Sequence, residues 1–151
     1  MESTLVIIKP NGVKGGIIGE VISRYEKSRL SVSAIKIKGL TKAEAEGFYA
    51  EHKERGFFGE LVSFMTSGPV VLLALSGEKA VEKVRTLNGA TNPANAQAGT
   101  IRHDFAPNTG ENIVHSSDSA ASAAREIAYW FEKPELVSYP AYSYVKYSPA
   151  H

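Results

Sequence analysis

Four histidines, at positions 52, 103, 115 and 151, are the side chains best able to act as nucleophile, proton carrier or metal ligand in a chain without cysteine. No two of them stand at zinc-ligand spacing, and the thiolates that complete most zinc sets are missing. His52 falls where the pattern predicts a solvated helix face, and His151 is the last residue, where chains fray. His115 differs, because it lies between an apolar strand end and Ser116, Ser117 and Asp118. Taken alone, a strand-end histidine is still more often structural than catalytic. Two common phosphate-transfer frameworks are missing, since there is neither a P-loop sequence nor a protein-kinase catalytic loop. Gly12, Gly15 and Gly16 follow a strand and precede a helix, but their spacing misses the dinucleotide fingerprint and predicts a tight turn without a ligand.

The elements that must hold His115 are legible in the hydrophobic pattern. Thr4 to Lys9 is a β-branched and aliphatic run closed by Pro10 and Gly12, which predicts a buried strand ending in a turn. Ile17, Ile18, Val21, Ile22 and Tyr25 form the stripe of an amphipathic helix, and Ser31 to Lys38 alternates as a strand with one covered face does. Thr41 and Glu44 make a capping box, and a second helical stretch covers Phe57 to Met65. Val70 to Ser76 reads as a strand, and Glu78 to Thr86 as a short helix. The stretch from Asn88 to Glu111 is rich in Gly, Pro, Asn and Ala, longer than a loop usually runs without a task. Asn112 to His115 is a strand end, followed by a helix from Ser119 to Phe131 that Asp118 can cap. This order suits an α+β fold, a ferredoxin-like split βαβ sandwich with an antiparallel sheet covered on one face by helices and a long loop before the active-site strand. With 151 residues, of which 43% are hydrophobic and 22% charged, one domain is expected. A net charge of +1 argues against a polyanion-coating protein. The apolar run Leu5 to Ile8 is too short for a signal core or membrane span, so a cytoplasmic location is expected.

The stretch Asn112-Ile113-Val114-His115-Ser116-Ser117-Asp118 resembles the active-site signature of nucleoside diphosphate kinases: Asn, two residues, His, Gly or Ala, Ser, Asp. The resemblance runs along most of the chain, through Ile8-Lys9-Pro10-Asn11-Gly12-Val13, Phe57-Phe58, Thr66-Ser67-Gly68-Pro69-Val70, Gly89-Ala90-Thr91-Asn92-Pro93-Ala94, Gly99-Thr100-Ile101-Arg102 and Glu126-Ile127-Ala128. It implies one domain over 1–151, of which about 133–151 is a C-terminal extension. It also implies a ping-pong transfer of the γ-phosphate between ATP or other nucleoside tri- and diphosphates, through a phosphohistidine at His115. In that reading His115 attacks through Nδ1, Glu126 accepts a hydrogen bond from the other ring nitrogen, and Ser117 steadies Glu126. Arg85, Thr91 and Arg102 match the family's phosphate ligands, and the forked guanidinium groups of the two arginines suit phosphate oxygens. Lys9 and Asn112 match residues that hold the ribose 3′-hydroxyl, with Tyr49 near Lys9. Phe57 matches the base-stacking residue, with Leu61 beside it. Mg²⁺ is implied as cofactor, held mainly by the nucleotide's phosphates with Asp118 assisting through water, although helix capping explains Asp118 equally well. A homo-oligomer built on dimers, a tetramer or hexamer, is implied, with the tail carrying Tyr139, Tyr142, Tyr144 and Tyr147 on a neighbour. No nucleic acid and no membrane is required. Two departures stand out: Ser116 replaces Gly or Ala directly after the histidine, and Gly56 stands where a Pro often precedes the first Phe. The competing readings are a catalytically silent relative, which has no need to keep the polar residues together, and a phosphohistidine relay protein, whose usual helical bundle does not suit the strands.

Overall fold

A strand without polar alternation has to be buried on both faces, and the computed structural model, which describes residues 1–140, puts two such strands at the centre of its sheet. These are β1 (Glu2–Ile8) and β3 (Val70–Gly77), flanked by β2 (Ser31–Lys38) and β4 (Val114–Ser116) in the order β2-β3-β1-β4. All three pairings are antiparallel. Because β3 lies between β1 and β2, the chain crosses the sheet through α1 (Pro10–Lys14) and α2 (Ile18–Lys27) to reach β2. It crosses again after β3 through α5 (Ala80–Asn88) and α6 (Ile101–Phe105) to reach β4. The result is the ferredoxin-like split βαβ arrangement that the element order implies.

Helices cover both faces of the sheet, which corrects the expectation of one covered face. Leu5 and Ile7 of β1 point into a core layer with α3 (Lys42–Phe48), α4 (Phe58–Met65) and α7 (Ala120–Trp130). Val6 and Ile8 point the other way, into a layer with α2, α5 and α6. The reason is energetic: burying each such side chain contributes roughly 1.5–3 kcal/mol, which half-covered inner strands would forgo.

Local chemistry explains three boundaries. Pro10 opens α1 where a turn was expected, since its fixed φ suits the first helical position. Gly12 lets α1 close on the sheet, because a Cβ there would approach Ile8 Cγ2 to 2.8 Å and Ile113 Cγ2 to 3.2 Å. The Thr41–Glu44 capping box forms as read, with bonds of 2.9 and 3.1 Å. Ser119, rather than Asp118, caps α7: its hydroxyl accepts from the Ser122 amide at 3.1 Å, while the Asp118 carboxylate accepts from the Ser122 hydroxyl at 2.7 Å.

The two sheet edges differ. β4 is short, whereas β2 carries a register shift between Val32 and Ala34, after which Ala34 is buried and Ile35 and Ile37 are 52% and 64% exposed. Beyond α7 the chain returns to the start of this edge. Val137 N–H donates to the Ser33 carbonyl at 2.8 Å, and the Tyr139 hydroxyl accepts from Val32 N–H at 2.9 Å and donates to its carbonyl at 2.8 Å. Tyr139 therefore contacts β2 of the same chain; Tyr142, Tyr144 and Tyr147 fall outside the described residues. Among the described residues no helix is long and apolar enough to cross a membrane.

Candidate active site

β4 pairs with β1 so that His115 stands opposite Ile7 and shares its face, under α3 and α7. A γ-turn delivers the chain to that position: Ile113 has φ +74°, and Val114 N–H donates across it to the Asn112 carbonyl at 2.8 Å. A β-branched residue is costly there, by about 1–3 kcal/mol. The conformation is held by burial of Ile113 and by a 2.7 Å bond from Lys9 N–H to its carbonyl. The strain thus sits between Asn112 and His115 and fixes both.

Glu126 reaches the imidazole from α7, on the same helical face as Ser122 four residues earlier. His115 Nε2 lies 2.9 Å from Glu126 Oε1, and the Ser117 hydroxyl donates to that same oxygen at 2.8 Å. Ser117 is in turn fixed by β1, accepting from Leu5 N–H at 3.3 Å and donating its own N–H to the Leu5 carbonyl at 3.1 Å. A carboxylate only accepts, so Nε2 carries the proton and Nδ1 the lone pair. The rings of Phe48 and Tyr49 stand edge-on to the imidazole at 5.3 and 6.1 Å and limit its rotation. Among the described residues Nδ1 has no hydrogen-bond partner, while Nε2, the carboxylate and Ser117 form a fixed support behind it.

Two depressions meet at His115. One, of about 600 Å³, brings together Lys9, Arg85, Thr91, Arg102, Asn112, Asp118 and Glu126. The other, of about 750 Å³, runs past Tyr49, Phe57 and Leu61. They share Lys9, His52, Thr91, Asn112 and His115 and so form one cleft, polar at one end and apolar at the other. A larger, shallower hollow of about 830 Å³ over Lys79 and Glu82 adjoins it through Arg85 and Asp118, but His115 does not line it. Every site residue expected from the sequence borders the cleft except Ser117, which is fully buried behind it.

The polar end is cationic and preorganised. Lys9 Nζ donates to Asn112 Oδ1 at 2.8 Å, and the Asn112 amide donates to the Thr91 carbonyl at 3.2 Å. Arg102 is braced by the Gly89 and Val114 carbonyls, each at 2.8 Å. Arg85 extends from α5 without a salt bridge among the described residues. Burial first, and the Arg102 guanidinium second, push the Lys9 ammonium down to about 8. The Ser122 hydroxyl holds the Asp118 carboxylate below its usual range. Tyr49 is buried with its hydroxyl unpartnered, and burial, then the Glu126 charge, push that hydroxyl upward.

The low Lys9 value sets a pH dependence. The cation is present in the free protein below about 8 and lost above it, so kcat/KM for an anionic substrate is expected to fall as pH rises through that point. An anionic substrate held in the cleft would stabilise the cation, so the fall in kcat is expected at higher pH. Stability moves the other way: burying the cation is unfavourable below about 8, and that cost fades as pH rises toward the ordinary lysine value of 10.5. A kcat/KM profile that stays flat to pH 9.5, or a Lys9→Met variant that keeps the alkaline fall, would contradict this assignment.

His52 corrects the sequence reading of a solvated histidine. It sits on the 3-10 turn Ala50–His52, its ring centroid 5.6 Å from that of Phe57, with Nδ1 buried and unpartnered. Its place one turn after Tyr49 was the available signal. Glu60, Thr109 and Glu111 at the apolar end, and Arg125 on α7, also border the cleft without having been singled out. Ser116 lies opposite Val6, whose side chain joins the α2 and α5 layer, so its hydroxyl faces the Arg85 side of the cleft. At Gly56 a Cβ would meet nothing within 4 Å, so that departure displaces no neighbour.

An imidazole with one nitrogen fixed and the other free, beside two guanidinium groups, can carry a phosphoryl group. On this fold the arrangement defines a class, the small α+β phosphotransferases. A family model described as nucleoside diphosphate kinase matches residues 2–136, and the chain belongs to that family. The fold is similar to that of nucleoside diphosphate kinase from Aquifex aeolicus, at 40% identity over 90% of this chain and 99% of that one, with a TM-score of 0.88. A nucleoside diphosphate kinase family protein from Babesia bovis is 42% identical over 92% and 94% of the two chains, with a TM-score of 0.88. A halophilic nucleoside diphosphate kinase from Halobacterium salinarum, in complex with CDP, is 41% identical over 91% and 92%, with a TM-score of 0.89.

Proposed function

We propose that this chain is a nucleoside diphosphate kinase that works by a ping-pong route through His115. Nδ1 attacks the γ-phosphorus of a nucleoside triphosphate in line; the Nδ1–P bond forms, the bond to the bridging oxygen breaks, and the nucleoside diphosphate leaves. A second diphosphate takes the phosphoryl group by the reverse step. The observation that carries the reading is the paired hydrogen bond of Glu126 to His115 and Ser117, which orients the ring and offsets the charge of the phosphoimidazole. Arg85, Thr91 and Arg102 hold the phosphates, Lys9 and Asn112 the 3′-hydroxyl, and Phe57 with Leu61 the base. Tyr49 offers its unpartnered hydroxyl beside Lys9.

The polar end of the cleft suits a Mg²⁺ brought by the nucleotide's phosphates, with Asp118, whose carboxylate the Ser122 hydroxyl holds below its usual range, assisting through water. When bound, that ion neutralises charge on the phosphate oxygens. The same reading includes a cytoplasmic location and one domain over residues 1–151, of which about 133–151 is a C-terminal extension. It also includes a homo-oligomer built on dimers. The exposed Ile35 and Ile37 on the β2 edge favour pairing with a second copy, because open apolar edges invite association. Light scattering is expected to give a multiple of 16.3 kDa, and a monomer at working concentration would remove this part of the reading.

The test of the site is nucleotide selectivity. Strong base discrimination needs buried polar groups that pair with the base edge. At the apolar end Phe57 is 47% exposed, and Glu60, Thr109 and Glu111 are exposed as well. Stacking on Phe57 serves every base, at about 1–3 kcal/mol. Lys9 and Asn112, by contrast, are buried and bonded to each other at 2.8 Å. ADP, GDP, CDP and UDP are therefore expected to differ modestly, and a 2′,3′-dideoxy diphosphate to turn over far more slowly. A preference above about a hundredfold for one base, or full activity without the 3′-hydroxyl, would overturn this account of the cleft.

A further inference from the structure

Arg24 belongs to α2 and does not border the cleft, yet it makes three contacts with α6 and the turn that leads into it, and a fourth within its own helix. Its Nη1 donates to the Gly99 carbonyl at 3.0 Å and to Asp104 Oδ2 at 2.9 Å. Its Nε donates to Glu20 Oε1 at 3.1 Å, and the guanidinium lies 4.9 Å from the centroid of the Phe105 ring. The second Asp104 oxygen accepts from Gly99 N–H at 3.2 Å, so residues on both sides of Arg102 gather on one cation.

Helix α6 is only five residues long, too short to hold its own orientation. Ile101 anchors it to the core from below, and Arg24 grips it from the solvent side. Arg102 projects from between these anchors to its braces at Gly89 and Val114. A lone surface ion pair would contribute little. Arg24 combines bonds to two carboxylates, one from Nε and one from Nη1, with a carbonyl bond and an aromatic ring beneath the guanidinium, and its side chain is only 21% exposed. Geometry of that kind fixes position as well as adding stability.

We propose that Arg24 is a positioning residue: by clamping the Gly99 to Asp104 turn it sets where the Arg102 guanidinium meets the transferring phosphate. The proposal rests on the nucleotide reading of the cleft. Displacement of a charged group by about 1 Å costs up to a hundredfold in rate, so Arg24→Ala is expected to lower kcat about ten- to a hundredfold with a smaller change in KM. Arg24→Lys keeps the charge without the fork and is expected to recover only part of the loss.

The test measures kcat, KM for ATP and thermal unfolding for Arg24→Ala, Arg24→Lys, Arg102→Ala and the Arg24→Ala, Arg102→Ala double variant. If Arg24 works through Arg102, the double variant falls no lower than Arg102→Ala alone. A role in stability alone would lower the unfolding temperature, leave kcat of the folded protein within twofold of wild type, or give losses that multiply in the double variant. Any of the latter two results overturns the proposal, and Arg24→Lys supplies the same comparison should Arg24→Ala not fold. Wild-type protein without transfer activity would overturn the nucleotide reading itself. An active wild type with an unchanged Arg24→Ala overturns the positioning role alone.

Discussion

Replacing His115 with alanine is expected to abolish both phosphoenzyme formation and turnover, lowering kcat by roughly 10⁴- to 10⁶-fold, the range seen when a covalent nucleophile is removed. The expectation follows from the cleft's inventory. His115 Nδ1 is a nucleophilic nitrogen left free at the junction of its two halves, where Lys9 is tied to Asn112 at 2.8 Å and the unpartnered Nδ1 of His52 is buried. Wild-type protein incubated with γ-labelled ATP should carry an acid-labile, alkali-stable label, and initial rates against both substrates should give parallel ping-pong lines. The fold should survive the change, since His115 lies on the short edge strand with its side chain 21% exposed. An alanine variant that still takes up label and turns over normally would sink the mechanism.

The next largest effect is expected at Glu126, tested as Glu126→Gln to keep the shape of a buried side chain. Glu126 Oε1 accepts from both His115 Nε2 and Ser117. An amide oxygen can still accept, but it brings no negative charge to offset the cation that forms when Nδ1 is phosphorylated. Charge-assisted bonds are worth about 1.5–3 kcal/mol, and loss of the ring's orienting carboxylate in a hydrolytic triad costs about 10⁴-fold. A 10²- to 10³-fold slower labelling of His115 is expected, by the same reasoning. Ser117→Ala removes one donor and leaves the carboxylate, so about a tenfold loss is expected. Single-turnover labelling separates these steps from product release. Equal labelling rates in wild type and Glu126→Gln would remove Glu126 from the mechanism and leave it a structural role.

Local physics explains how much could be read without coordinates. The unbroken apolar run at Leu5 to Ile8 could only be an inner strand, and it is fully buried. Thr41 and Glu44 cap a helix because the capping box spans four residues and needs no distant partner. The stretch from Asn112 to Asp118 carries its chemistry in its order, so His115, Ser117 and the later Glu126 could be named together by resemblance. Competition between equally able neighbours was not legible. Asp118 and Ser119 are both good caps, and the choice fell to Ser119 once Asp118 took the Ser122 hydroxyl.

What only the tertiary structure decided are the relations between residues far apart in the chain. Lys9 and Asn112 are 103 positions apart, and nothing local to either encodes the 2.8 Å bond that joins them. The sheet's second helical cover, the γ-turn at Ile113, the return of Tyr139 to Val32 and the place of His52 beside Phe57 are of the same kind. Periodicity states which face of an element is apolar, but not what will cover it, because that depends on how the crossovers of a split sheet bring distant segments together. The sequence by itself thus determined the elements and the reactive residue types. The pairing of β1 with β4 determined that His115 Nε2 meets Glu126 and that Nδ1 has no partner among the described residues, since only the assembled sheet sets which ring nitrogen is engaged.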